Sequence, residues 1–303
     1  MQETAEHPDL LDAAAIARIG HLELLSTRVV DGFLSGKHRS THKGGCFEFA
    51  EHRAYAAGDE IRLIDWHVYA KSDRYYIKLF EEETNLQALM VVDVSGSMQF
   101  GASTVSKADY AKMACACLSR LMLRQRDAVG LALFDDQVRH YIPPRAHASH
   151  LRSILDALRR GLPGGKTSLA ATLHEVARRM KRRGLVVVIS DCFGELEPLT
   201  KALHQLRLRG HEVLLFHTLA PEELTFSFHK WSRFECLESA GLRIDLDPPT
   251  IRKRYLERLN AFVETLNRHC AKIACDYQPL STAEPLGEIL AHYLTRRAAR
   301  IRA

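Results

Sequence analysis

The chain has 303 residues, 46% of them hydrophobic, enough to bury a substantial core in one or two domains. Its net charge is only +5 and its acidic and basic side chains are interleaved, which excludes a dedicated nucleic-acid surface; Arg296, Arg297, Arg300 and Arg302 read as a solvated last helical turn that suits the helix dipole. Seven irregularly spaced cysteines read as reduced thiols, mostly buried, rather than a disulfide framework, and no apolar run approaches the ~20 residues that span a bilayer.

Residues 1–9 are polar and acidic, which predicts no signal peptide and a soluble, cytoplasmic protein. Residues 1–27 are expected to hold an N-terminal helix, with Leu10, Leu11, Ala14, Ile16, Ala17 and Leu22 on its apolar face. Residues 28–86 change character. Gly32, Gly36, Gly44, Gly45 and Gly58 punctuate short alternating segments, and Cys46–Phe49 and Tyr75–Phe80 read as strands of a small β-rich module.

From residue 87 to 303 the pattern is strand, helix, strand, helix. Strands are predicted at 87–93, 128–134, 185–190 and 211–218, and helices at 107–124, 148–160, 168–182 and 197–209. A short edge strand at 137–142 should end at Pro143-Pro144. A hairpin insertion within 220–248 pairs Trp231–Leu237 with Leu242–Leu246. A helix from Thr250 to Ala271 follows Pro248-Pro249, then a strand at 273–277 and a helix at 283–299. This alternation predicts an α/β fold, a doubly wound and mainly parallel sheet covered by helices on both faces.

The run Leu89-Met90-Val91-Val92-Asp93-Val94-Ser95-Gly96-Ser97-Met98 is the most telling stretch. A buried strand ends in a carboxylate and two hydroxyls at alternate positions, and ligands of open α/β sheets bind just past such strand ends. Asp93, Ser95 and Ser97 together are hard oxygen ligands suited to Mg2+. The pattern Asp-x-Ser-x-Ser resembles the first motif of the metal-ion-dependent adhesion site of von Willebrand factor A domains. That resemblance implies two further residues, a threonine from a glycine-containing loop and an aspartate from another strand end. Gly164-Gly165-Lys166-Thr167 and Ser190-Asp191 occur in that order, so the implied site is Asp93, Ser95, Ser97, Thr167 and Asp191, with Asp191 acting through water. Taken singly, these are the residues that cap helices and build turns. Mn2+ and Ca2+ are the alternative cations.

The segment before this motif carries a second resemblance. His38-Arg39-Ser40, Lys43-Gly44, Glu48-Phe49, Arg53-x-Tyr55, Gly58-Asp59, Arg62, Ile64-Asp65-Trp66, Ala70-Lys71-x-Asp73-Arg74 and Phe80-Glu81-x-Glu83 fall in one run. With the hairpin Phe234–Glu238 and the ending from Pro285-Leu286 to Arg296, this resembles the bacterial domain of unknown function 58 family over roughly residues 30–298. Cys236 and Ala283 depart from it, where acidic residues are expected. The resemblance implies an adaptor for a MoxR-type AAA+ ATPase that assembles or remodels an unidentified client protein, with an acidic side chain of the partner completing the metal's coordination. The motif supplies neither nucleophile nor base, so no enzymatic activity is expected.

Other readings are weaker. Gly161–Thr167 resembles a phosphate-binding loop, but its glycine spacing is one residue short and a helix rather than a strand precedes it. A metal-dependent phosphohydrolase would suit strand-end aspartates, yet Ser95 stands where a nucleophilic-aspartate phosphatase carries its second aspartate. His38, His42 and Cys46 could offer zinc ligands only on a helix, which Gly44 and Gly45 oppose. Arg53, Asp59, Arg62, Asp65 and Arg74 read as an internal ion-pair network that docks the module on the sheet domain, its stems buried by Phe49, Tyr55 and Trp66, with a partner surface as the functional alternative.

Overall fold

The computed structural model describes residues 47–56, 64–82, 86–101, 105–147, 149–160, 164–228, 231–238, 241–290 and 293, which fall into two units divided between Asn85 and Leu86. The expected N-terminal helix, the set His38, His42 and Cys46, and the pair Asp59 and Arg62 lie outside them. In the first unit, β1 (Phe47–Ala54) pairs antiparallel with β2 (Tyr76–Glu82), with a bulge between Phe49 and Glu51. Helix α1 (Trp66–Ser72) starts at Asp65, whose Oδ1 accepts from the His67 amide at 3.0 Å, the ordinary way to satisfy a first-turn N–H. Asp65 thus caps a helix, and Trp66 is 57% exposed.

The second unit holds one six-stranded sheet. Its strands are β3 (Gln87–Asp93), β4 (Ala128–Phe134), β5 (Val138–Arg145), β6 (Leu185–Ser190), β7 (Glu212–Leu219) and β10 (Asp276–Ser281), in the order β10-β7-β6-β3-β4-β5. Every pairing is parallel except β4 with β5. Parallel strands carry helices on both faces and so are apolar throughout. Val91, Val92, Val187, Val188 and Ile189 are accordingly all buried.

The helices are α2 (Lys107–Arg124), α3 (His150–Arg159), α4 (Leu169–Arg179), α5 (Leu196–Leu208), the short α6 (Pro221–Thr225) and α7 (Pro248–Lys272). Leu89, Val91, Val186, Val188 and Leu215 pack with Leu173 and Val176 of α4, Leu203 of α5 and Leu266 of α7. Alternate strand residues face the opposite layer, where α2 meets α3 and where Tyr293 packs edge-on against Phe216 at 5.7 Å. The fold is the doubly wound α/β arrangement that the apolar runs predict.

Three boundaries differ from expectation. β5 continues through Pro143 and Pro144 to Arg145, because an edge strand tolerates missing donors and a bulge opposite Gly130 makes room for them. A Cβ at Gly130 would lie 2.6 Å from the Ile142 carbonyl oxygen. The last strand starts at Asp276 rather than 273, because Ala274 takes a left-handed φ of 53° and the Cys275 amide closes α7 by donating to the Cys270 carbonyl at 2.9 Å. Helix α4 ends at Arg179, short of 182.

Between β7 and α7 the hairpin β8 (Ser232–Glu235) and β9 (Arg243–Leu246) stands on an aromatic base. Phe226 meets Tyr255 at 4.6 Å and Phe228 meets Phe234 at 5.2 Å. Beyond that base, Trp231, Leu237, Leu242 and Ile244 are exposed.

Candidate metal centre

The order β6-β3-β4 reverses the chain's direction of travel at β3: it steps to β4 on one side and returns to β6 on the other. Adjacent crossovers then leave a crevice at the carboxyl ends of these strands. Asp93 ends β3 in that crevice and is fully buried. Its Oδ1 accepts from the Ser95 amide at 2.9 Å. Its Oδ2 accepts from the Ser190 hydroxyl at 2.6 Å and from the Thr167 hydroxyl at 3.3 Å. The Ser95 and Ser97 hydroxyls share a hydrogen bond at 3.2 Å. Asp93, Ser95, Ser97 and Thr167, drawn from two distant segments, therefore form one hydrogen-bonded set.

Glycines let the loops close over Asp93. The Gly96 amide donates to the Gly165 carbonyl at 2.9 Å, and a Cβ at Gly164 would stand 2.8 Å from the Gly96 nitrogen. No side chain fits between these two backbones.

Asp191 follows β6 and is also buried, but its oxygens are engaged elsewhere. Oδ1 accepts from the Phe193 amide at 3.1 Å and Oδ2 from the Lys107 ammonium at 2.8 Å. Lys107 also donates to Glu223 Oε1 at 2.7 Å, while Glu223 Oε2 caps α6 by accepting from the Ala220 amide at 2.8 Å. Burial alone would lower the Lys107 pKa, but the Asp191 and Glu223 carboxylates outweigh it and hold the pKa above its usual value. The Asp191 carbonyl lies 2.9 Å from His217 Nε2, and His217 Nδ1 lies 2.7 Å from the Tyr277 hydroxyl. Burial pushes the His217 pKa down to about 4, so the ring is neutral. A carbonyl only accepts, so Nε2 carries the proton and Nδ1 accepts from Tyr277.

Burial first, and then the negative charge of Asp191, push the Asp93 pKa up to about 7, against the pull of the Ser190 and Ser95 hydrogen bonds. These surroundings therefore disfavour its ionised form. A buried carboxylate oxygen without a hydrogen-bond partner lies nearby. Asp135, one residue beyond β4, has a side chain only 1% exposed; its Oδ1 pairs with Arg139 at 2.6 Å, while its Oδ2 is buried with no hydrogen-bond partner. A Cβ at Gly165 would lie 3.2 Å from that Oδ2, which places it under the Thr167 loop.

One carboxylate, three hydroxyls and an unmet carboxylate oxygen form a donor set that fits a hard divalent cation with open positions for water or a partner. Among the described residues no group of three or more His, Cys, Asp or Glu side chains is placed to hold a metal, so a cation here would depend on the hydroxyls.

Three contributors were not recognised in the sequence. In the sequence Ser190 stands only as the neighbour of Asp191. Asp135 follows a buried strand as Asp93 does, and that repeated pattern is its signal. Lys107 opens α2, where a positive charge opposes the helix dipole, and an unfavourable cation in a first turn can mark a buried partner.

A family model described as "Protein of unknown function DUF58" matches residues 51–262. Uncharacterized proteins of Mycobacterium bovis and Mycobacterium tuberculosis are 28% identical over 219 residues, covering 71% of this chain and 68% of theirs. Among solved structures, the conserved hypothetical protein BatB from Bacteroides thetaiotaomicron is 14% identical, with a TM-score of 0.48 over 71% of this chain and 99% of that one. An aerotolerance-related membrane protein from Bacteroides fragilis, crystallised with multiple mutations to serine, is 15% identical, with the same TM-score and coverage.

The cytoplasmic location expected from the sequence is corrected by these neighbours, one of which is described as a membrane protein. That expectation rested on the polar, acidic residues 1–9, the reduced-thiol reading of the cysteines and the lack of an apolar span. Among the described residues no helix is long and apolar enough to cross a membrane, but this property of the domain's helices does not fix the compartment in which the domain works.

Proposed function

The chain belongs to the DUF58 family, and from that premise we propose that it is a metal-ion-dependent protein-binding module of von Willebrand A-like design, without enzymatic activity. It serves as an adaptor between a MoxR-type AAA+ ATPase and a client protein under assembly or remodelling. The observation that carries the metal reading is the convergence of Asp93, Ser95, Ser97 and Thr167 on one buried point at the strand-order reversal. The ATPase partner rests on family resemblance.

Asp93, Ser95, Ser97 and Thr167 would hold the cation, Mg2+ in preference to Mn2+ or Ca2+, and Asp191 would act through water. When bound, the cation supplies an electrophilic centre for a partner's carboxylate. Of these four ligands only Asp93 is charged, so the cation would stay electrophilic toward a further carboxylate. Lys107 neutralises Asp191 and keeps it from competing for the same position. Phe193, 68% exposed and two residues past Asp191, adds an apolar contact at the rim.

The test is capture of the cognate ATPase by wild type, by Asp93→Ala and by wild type in EDTA, with a thermal melt of each. Capture lost in the last two, with melts retained, supports the reading. Equal capture in all three rejects it.

A further inference from the structure

The tip of the β8–β9 hairpin is seated on the loop that carries the two serines. A Cβ at Gly96 would lie 2.1 Å from the Leu237 carbonyl oxygen and 3.2 Å from the Glu238 nitrogen. Gly96 stands between Ser95 and Ser97, so the backbone at Leu237 and Glu238 packs on the loop that carries both hydroxyls. Its Oε1 is buried and has no hydrogen-bond partner. A carboxylate oxygen taken out of water without a donor is destabilising. The same oxygen is a good ligand for a hard divalent cation.

The hairpin is also built to come away. Its strands are four residues each and are tied across by the Arg233–Asp245 and Arg243–Glu235 pairs, which are solvent-exposed. Its aromatic anchor is at the base, through Phe226, Phe228, Phe234 and Tyr255. Leu237, Leu242 and Ile244 are about half exposed or more, so lifting the tip uncovers little apolar surface.

We propose that Glu238 is the chain's own carboxylate ligand to the cation held at Asp93, and that the hairpin caps the site until a partner's acidic side chain takes its place. This rests on the metal-binding reading above. The free protein then holds its cation closed, and a partner binds by exchanging one carboxylate for another.

The test uses Mn2+ as probe on the full chain, comparing wild type, Glu238→Gln, Glu238→Ala and Asp93→Ala. Mn2+ affinity is read by electron paramagnetic resonance and inner-sphere water by proton relaxation. Both Glu238 variants should bind Mn2+ roughly tenfold more weakly, since ligand charge tunes affinity. They should show higher relaxivity per bound ion, because water fills the vacated position. Acetate should bring the relaxivity of Glu238→Ala back down and leave wild type unchanged. Hydrogen exchange of amides 232–246 should slow on adding Mn2+ to wild type and not to Glu238→Ala.

If the Glu238 variants match wild type in affinity, relaxivity and exchange while Asp93→Ala loses Mn2+, the cap is overturned and the metal site stands. If wild type does not bind Mn2+, both fall. Thermal melts of the variants separate weaker binding from misfolding.

Discussion

Lys107 and Asp191 are 84 positions apart in the chain, yet the lysine nitrogen lies 2.8 Å from the carboxylate oxygen, with each side chain 2% exposed. The bond crosses from the first turn of α2 to the end of β6 and places a fixed positive charge behind the strand-end carboxylates. Asp191 is thereby positioned as a compensated charge near Asp93 rather than as an open ligand.

Lys107→Met should therefore be among the most disruptive single changes at this edge. It strands two carboxylates, Asp191 and Glu223, in or near the core. Breaking a buried pair from one side costs about 3–5 kcal/mol, which corresponds to a fall in Tm on the order of 10 °C for a domain of this size. Saturating Mg2+ should recover part of the loss by supplying positive charge near Asp191. A melt within about 1 kcal/mol of wild type would show that the pair is solvated in solution.

Asp93 should make the metal-free protein less stable as pH rises. Its folded pKa of about 7 lies above its ordinary 3.8, so the folded state binds the proton more tightly. The resulting stabilisation is fully present below pH 3.8 and is lost as pH climbs through about 7. In EDTA at pH 8, Asp93→Asn should exceed wild type in stability by on the order of 1–3 kcal/mol, and the gap should close toward pH 4. Mg2+ should stabilise wild type at pH 8 and leave Asp93→Asn unmoved. Urea unfolding at several pH values reads all of this. Superimposable stability curves in EDTA would mean that Asp93 ionises freely.

Gly96→Ala should unseat the hairpin and spare the sheet. The added carbon would meet the Leu237 carbonyl oxygen at 2.1 Å, a contact no side-chain rotation can relieve because the Cβ is fixed by the backbone and the oxygen it meets is backbone. The expected result is faster proteolysis between Ser232 and Leu246, with global stability lowered by about 1–3 kcal/mol. Unaltered cleavage there would place the hairpin away from the loop in solution.

Much of this architecture is legible in the chain. Gln87–Asp93, Ala128–Phe134 and Leu185–Ser190 fall where their apolar runs predict, because a strand buried on both faces must be apolar from end to end. Helix Lys107–Arg124 is equally plain, with Ser106 as its N-cap and a long apolar periodicity. The spacing of Asp93, Ser95 and Ser97 survives into structure because a turn just past a strand end keeps close residues close. The prolines of β5 and the start of β10 were misplaced because a bulge and a left-handed Ala274, rather than composition, set those boundaries.

What the sequence by itself determined is the alternating strands and long helices of the second unit and the local oxygen motif, since both follow from periodicity over a few residues; the short helices α1 and α6 carry no such period. The tertiary structure alone decided which distant groups meet: Ser190 on Asp93, Lys107 on Asp191, and Leu237 on Gly96. Those contacts span up to roughly 140 positions and depend on strand order, and strand order is chosen by how the two helical layers bury the whole sheet rather than by any local pattern.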